Sequence, residues 1–313
     1  MTMHLSVIIC THNPRKSYIE NVIDSLKAQT SPFQHWELIL VDNASDEYLK
    51  DKINLKWHPN SRFIREEKLG LTSARLAGIR ESQAETLVFV DDDNVLDVNY
   101  IEEVIRISNE FPFLGAWGGQ IFGKYEVPPP EWAEPYLPKL GIREFDQIKW
   151  SNLVHQYETT PCGAGICVRK RVAEEYARLV SESSERLKLG RIGQALTAGE
   201  DSDLAFTACD VGLGMGIFPS LKLTHLIPSK RLEKTYLIRL IEGMNYSQRI
   251  LDSLRGKSPI PRKITWTSKI KEFYYLRRIS KTKREFYLAQ QRGFDRAVET
   301  LRDTTSPLSK DNV

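Results

Sequence analysis

Short apolar runs and amphipathic stretches alternate along the first part of the chain. Leu5–Cys10 is apolar and rich in β-branched residues, which predicts a buried strand. Thr11-His12-Asn13-Pro14 breaks it, and Ile19, Val22, Ile23 and Leu26 then recur at helical spacing. Trp36–Val41 predicts a second buried strand, Arg62–Arg65 a short third, and Leu71–Glu81 a helix. Thr86–Val90 predicts a strand that runs into Asp91-Asp92-Asp93. Strands alternating with helices predict βαβ units, and hence an α/β fold with a mixed, mostly parallel sheet flanked by helices.

The later pattern is less regular. Val98–Glu110 reads as a helix, Gly115–Gly123 as a strand, and the proline-rich Val127–Pro138 as a stiff irregular loop. Gly163–Val168 reads as a turn and strand, and Arg171 to about Glu185 as a charged helix. Gly199–Leu204 opens another helix. Gly216–Phe218 and Leu221–His225 read as two short strands. From Lys234 onward the pattern is helical, with Tyr236, Leu237, Leu240, Ile241 and Met244 on one stripe. The chain thus divides into a body, residues 1–228, and a helical C-terminal extension, residues 229–313. The polar tail after Asp303 is expected to fray.

Composition narrows the class. A chain of 313 residues with 41% hydrophobic and 27% charged residues suits a globular protein that needs no covalent staples. No run approaches the ~20 apolar residues of a membrane span, and the N-terminus lacks the pattern of a secretory signal. Cys10, Cys162, Cys167 and Cys209 form no C-x-x-C pair, so reduced thiols in a cytoplasmic protein are expected. The net charge of +3 hides an asymmetry: Arg255–Arg296 carries thirteen Lys or Arg against three Asp or Glu, leaving the rest slightly acidic. Trp266, Phe273, Tyr274, Tyr275 and Leu276 interleave with those cations. Such a mixture suits an anionic membrane surface, or else a solvated helical face whose aromatics pack on the body. No nucleic-acid partner is expected, because no binding motif supports one.

Three polar clusters, Thr11–Asn13, Asp42–Asp46 and Asp91–Asp93, fall at the carboxyl ends of predicted strands, where α/β sheets bind ligands. Three adjacent acids repel one another unless a cation compensates, and Mg²⁺ or Mn²⁺ favours oxygen ligands. The bland alternative is a solvated acidic loop. Asp42 can accept a hydrogen bond from a nucleotide or simply close a turn. Glu200 and Asp201 at a helix start can bind a hydroxyl and take its proton, or only complement the helix dipole. His225, at a strand end, completes a metal site only if it faces the acidic cluster. Phosphate-loop, dinucleotide and hydrolase-elbow motifs are absent.

Taken in order, Ser6–Asn13, Ser25–Thr30, Val41–Asp46, Gly70–Gly78, Phe89–Asn94, Gly163–Gly165 with Arg169-Lys170, Gly199–Asp201 and Thr224-His225 resemble the motifs of the family-2 glycosyltransferases, enzymes of the GT-A fold. The resemblance covers about Leu5–Pro228. His12 stands where the family usually has an aromatic, Asn43 in its second acidic position, and Leu76 in place of its usual Asn. The resemblance implies that Thr11, Asn13, Asp42 and Arg75 serve the nucleotide, and that Asp91 and Asp92 lie near ribose and sugar. It implies a Mn²⁺ or Mg²⁺ ion on Asp93 and His225, and Asp201 as base with Glu200 beside it. Gly163, Trp117 and Trp132 fall on the acceptor side, the indole faces being suited to a sugar or equally to packing.

The implied reaction is inverting transfer of one sugar from a nucleotide-diphosphate sugar to a hydroxyl. UDP is expected as the nucleotide, and a glycan or lipid-linked molecule as the acceptor. Cell-surface polysaccharide biosynthesis is the implied setting, in the cytoplasm or on the inner face of the membrane. The Gln-x-x-Arg-Trp signature of processive synthases is absent, which favours single-sugar transfer. The rival readings are a sugar-phosphate nucleotidyltransferase and a non-catalytic nucleotide- or carbohydrate-binding protein.

Overall fold

The computed structural model describes residues 3–193, 195–257 and 265–305, the last three by backbone alone. Arg262, Lys263 and residues 306–313 of the polar tail lie outside the described residues. The strands are β1 (Leu5–Thr11), β2 (Trp36–Asn43), β3 (Ser61–Glu66), β4 (Thr86–Asp91), β5 (Asn94–Leu96), β6 (Leu114–Tyr125), β7 (Lys149–Ser151), β8 (Cys167–Arg169) and β9 (Gly214–Ile227). The helices are α1 (Lys16–Lys27), α2 (Leu71–Glu81), α3 (Tyr100–Glu110), α4 (Lys170–Ser181), α5 (Ser184–Leu187), α6 (Glu200–Asp210), α7 (Lys234–Leu254), α8 (Trp266–Arg278) and α9 (Lys281–Thr305).

One sheet of order β3-β2-β1-β4-β8-β6-β9-β5 runs through the molecule, with β7 added beside β9. β3, β2, β1 and β4 are parallel, with Leu5 opposite Trp36 and Thr11 opposite Asp42. β8 is antiparallel to both β4 and β6. Alternation along β1 divides the core: Leu5, Val7 and Ile9 face α1 and α3, while Ile8 and Cys10 face α2, α4 and α6. Both faces are covered, which is why β1 and β2 read as mostly apolar runs, their buried Ser6 and Glu37 hydrogen-bonded to each other. Gly78 lets α2 lie on the sheet, since a Cβ there would approach Ile8 Cγ2 to 2.4 Å.

Several boundaries differ from expectation. The two short strands expected between residues 216 and 225 are one strand, β9, whose register against β6 jumps between Phe218 and Lys222. Pro219 sits in that irregularity, where a missing N–H does no harm. The proline-rich loop winds over Glu131–Leu140 into 3₁₀ turns. The helix expected from Arg171 to Glu185 stops at Ser181 and restarts at Ser184, with the Ser183 side chain as its cap. β5 and β7 are three residues long, too short to show a period.

Residue 228 does not mark a break in packing. Ile250 and Leu251 of α7 and Ala297 of α9 belong to the core of the body. Arg255, just beyond α7, reaches Asp203 on α6 with Nε at 2.7 Å from Oδ1. A satellite core of Ala133, Leu140, Leu237, Leu240, Ile241 and Phe286 joins the 3₁₀ segment to α7 and α9. No helix among the described residues is long and apolar enough to cross a membrane, and the four cysteines are free.

Candidate active site

A cleft of about 390 Å³ opens at the carboxyl ends of β1 and β4. Its walls include Thr11, Arg75, Asp91, Asp92, Asp93, Gly163, Glu200, Asp201 and His225. These residues come from six separate stretches of chain, and the sheet order brings them together. β4 delivers the three acids. The antiparallel pairing of β5 with β9 sets Asn94 opposite His225 and so carries His225 to Asp93.

The acids are not equivalent. Asp92 accepts a hydrogen bond from Thr11 Oγ1. Burial, reinforced by Asp93, pushes its carboxyl up to about 7. Burial also raises Asp91, whose Oδ1 lies 3.8 Å from Arg75 Nη2. Burial works against ionisation of Asp93 too, but His225 and Arg231 outweigh it and bring the group down to about 2. His225 Nε2 is 3.4 Å from Asp93 Oδ2, and Arg231 Nη2 is 3.0 Å from the same oxygen. Asp93 is therefore the acid of the trio whose anionic form its neighbours favour, with the Arg231 guanidinium beside it.

The opposite wall carries the start of α6. Glu200 is buried against Arg75, with Oε1 at 3.4 Å from Nη1. Burial and the neighbouring Asp201 push the Glu200 carboxyl up to about 7. Asp201 is less enclosed. Its Oδ2 accepts from the Gly163 backbone N–H at 2.9 Å, and its Oδ1 from the Ser202 N–H at 2.7 Å. Two fixed backbone donors thus aim this carboxylate. Asp203 lies outside the cleft walls, buried between Arg186 and Arg255.

Four expected site residues lie elsewhere. Asp42 is turned away from the cleft: it accepts from the Ser45 and Leu49 N–H groups and pairs with Arg65 at 2.8 Å. Asn43, the next residue, faces the cleft instead. Its amide braces the loop by donating to Glu66 O and Lys68 O and accepting from Gly70 N–H. Asn13 closes a turn on Asp46, outside the cleft, while its neighbour His12 lines it. Trp117 is fully buried in the core, so its ring has no face to offer a sugar. Trp132 and Tyr136 stack on Phe286 in the satellite core.

The structure adds residues that no motif announced. Arg231, Arg191 and Lys139 bring positive charge to the cleft, and Leu240 and Met244 of α7 form part of its wall. No three His, Cys, Asp or Glu side chains among the described residues enclose a metal by themselves. His225 Nε2 faces Asp93 and accepts from Arg231 Nη1 at 2.8 Å, while the buried Nδ1 of His225 has no hydrogen-bond partner.

Comparison with known proteins agrees with this arrangement. Residues 6–176 match the family model for glycosyl transferase family 2. The chain is 40% identical over 248 residues to human polypeptide N-acetylgalactosaminyltransferase 3, covering 72% of this chain and 37% of that one. It is 30% identical over 108 residues to an uncharacterized glycosyltransferase of Haemophilus influenzae, covering 34% of this chain and 35% of that one. The chain thus spans only about a third of the length of each of these relatives. Among solved structures, S. aureus TarS 1–349 superposes with a TM-score of 0.53 at 14% identity, over 98% of this chain and 93% of that one. The same TarS fragment in complex with UDP-GlcNAc gives a TM-score of 0.54 at 12% identity, with the same coverage. These two likenesses concern the fold, which is GT-A. The family match, which takes in the first strand, the triple acid and the Gly163 turn, carries the assignment: this chain belongs to glycosyl transferase family 2.

Proposed function

We propose that the protein transfers a single sugar from a nucleotide-diphosphate sugar to a hydroxyl, with inversion at the anomeric carbon. One observation carries this reading: Asp201, aimed by two backbone N–H groups, shares a cleft with Asp91–Asp93 and His225. Asp201 takes the proton of the acceptor hydroxyl while its oxygen bonds to the anomeric carbon. The bond from that carbon to the diphosphate oxygen breaks on the opposite face, and the electron pair leaves with the diphosphate. Arg75 and Arg231 stand where the departing charge gathers.

The donor set suits a hard divalent cation shared with substrate phosphates. Asp93 and His225 would hold Mn²⁺ or Mg²⁺, which when bound would neutralise charge on the leaving diphosphate. A UDP-sugar is the donor favoured by this reading, supported by the TarS fragment that carries UDP-GlcNAc in its crystal. The acceptor is a glycan or lipid-linked hydroxyl in cell-surface polysaccharide synthesis, met in the cytoplasm. The same reading includes a peripheral contact with an anionic membrane.

Incubation with a panel of nucleotide sugars, acceptors and Mn²⁺ or Mg²⁺ tests the proposal. Release of nucleoside diphosphate matched by transferred sugar is the expected result. Release of pyrophosphate would make the protein a nucleotidyltransferase. Tight nucleotide binding without turnover of any donor would make it a binding protein.

A further inference from the structure

We infer that α8 is a membrane-docking helix that lies on an anionic lipid surface through one defined arc. This deepens the membrane-contact part of the proposed function and does not depend on the transfer chemistry. No residue of α8 is buried, yet its two sides differ. Ser268, Glu272 and Leu276 are its less exposed positions, four residues apart along one face, and Ile279 just past its end continues them. That face is attached to α9: Glu272 Oε1 accepts from Tyr287 Oη at 2.9 Å, and Leu276 O accepts from Arg284 Nε at 3.0 Å. Tyr275 adds an edge contact to the Tyr287 ring, with centroids 5.5 Å apart.

The opposite arc is exposed and carries large apolar side chains. Trp266, Ile270, Phe273 and Tyr274 follow the same spacing, and their exposure runs from 39% at Ile270 to 80% at Trp266. Lys269 and Lys271 flank the arc, and Arg277 lies over the Phe273 ring at 4.3 Å. Arg278, Lys281 and Lys283 continue the positive charge. Aromatic rings for the headgroup boundary, ringed by cations, match a bilayer rich in anionic lipid. α8 is too polar to cross a bilayer, so the contact is lateral.

The experiment is sedimentation of the full chain with phosphatidylglycerol vesicles and with phosphatidylcholine vesicles at low and high salt. The wild type should sediment with the anionic vesicles at low salt and be released at high salt. The variant Trp266→Ser/Phe273→Ser should lose at least about tenfold in partitioning. Lys269→Glu/Lys271→Glu should lose about as much, and only on anionic vesicles. All four positions are exposed, so circular dichroism and turnover of a soluble acceptor should match wild type. Equal sedimentation of wild type and both variants would overturn the assignment. So would a wild-type dimer that becomes monomeric in Trp266→Ser/Phe273→Ser, which would make the arc an interface between copies. A wild type that binds the vesicles but turns over no donor would refute the transferase reading and leave this one standing.

Discussion

The Gly163 backbone N–H meets Asp201 Oδ2 at 2.9 Å, and the space around Gly163 has no room for a Cβ. A Cβ there would lie 2.9 Å from Arg75 Nη2 and 3.2 Å from Asp201 Cβ. Gly163→Ala should therefore displace the base and the arginine together. Turnover should fall by about tenfold to a hundredfold, while a melting curve shows the fold retained. Turnover equal to wild type would mean that the base is not held from this side.

Asp201→Asn keeps the shape and one of the two backbone hydrogen bonds, since its amide nitrogen cannot accept, and it removes the basicity. Donor affinity should stay near wild type and transfer should fall by about 10²-fold or more. Calorimetry with the nucleotide and a product assay separate the two effects.

Asp93→Ala should abolish the part of nucleotide affinity that depends on Mn²⁺. It leaves Arg231 and His225 without their shared anion. Titration with UDP, with and without the ion, reads this directly. An unchanged difference between the two titrations would move the metal site elsewhere.

Asp203 and Arg255 fasten α7 to α6 through a buried pair, joined by Arg186. Arg255→Ala strands part of that buried charge and should cost about 3–5 kcal/mol in denaturant unfolding. Because α6 begins at Glu200 and Asp201, some loss of turnover should accompany it.

His58 gives the fold an acid limit. It is buried beside Trp36, Trp57 and Phe33. Burial pulls its pKa down from 6.5 to about 4. The unfolded chain binds this proton below 6.5 and the folded chain only below about 4, so stability falls as pH drops through that window. His58→Phe should flatten the stability curve between these values, measured by melting temperature against pH.

The apolar periods of β1, β2, β4, α1 and α2 were readable because each is long and buried on a regular face. So was the convergence of the three polar clusters on one sheet edge. What the pattern did not carry was the side to which a strand-end residue turns. Successive residues of a strand point to opposite faces, so one step separates Asp42, bound to Arg65, from Asn43 in the cleft. The same holds for Trp117, which suits a sugar or packing equally by sequence and whose ring turns into the core from β6. Arg231 gave no signal, because its chemistry depends on the long-range pairing of β5 with β9.

β9 imposes a parity rule on the length of this part of the chain. It starts shortly after α6 ends at Asp210 and runs to Ile227 through the irregularity at Pro219 and then His225. A single residue inserted between Leu221 and His225 would turn the imidazole to the far side of the sheet. Two inserted residues would restore its direction but carry it roughly 7 Å along the strand, past Asp93. Only a change absorbed in the irregular stretch at Pro219 leaves the pairing of Asn94 with His225 intact. Length variation in related chains should therefore concentrate at that irregularity and spare the four residues that follow it.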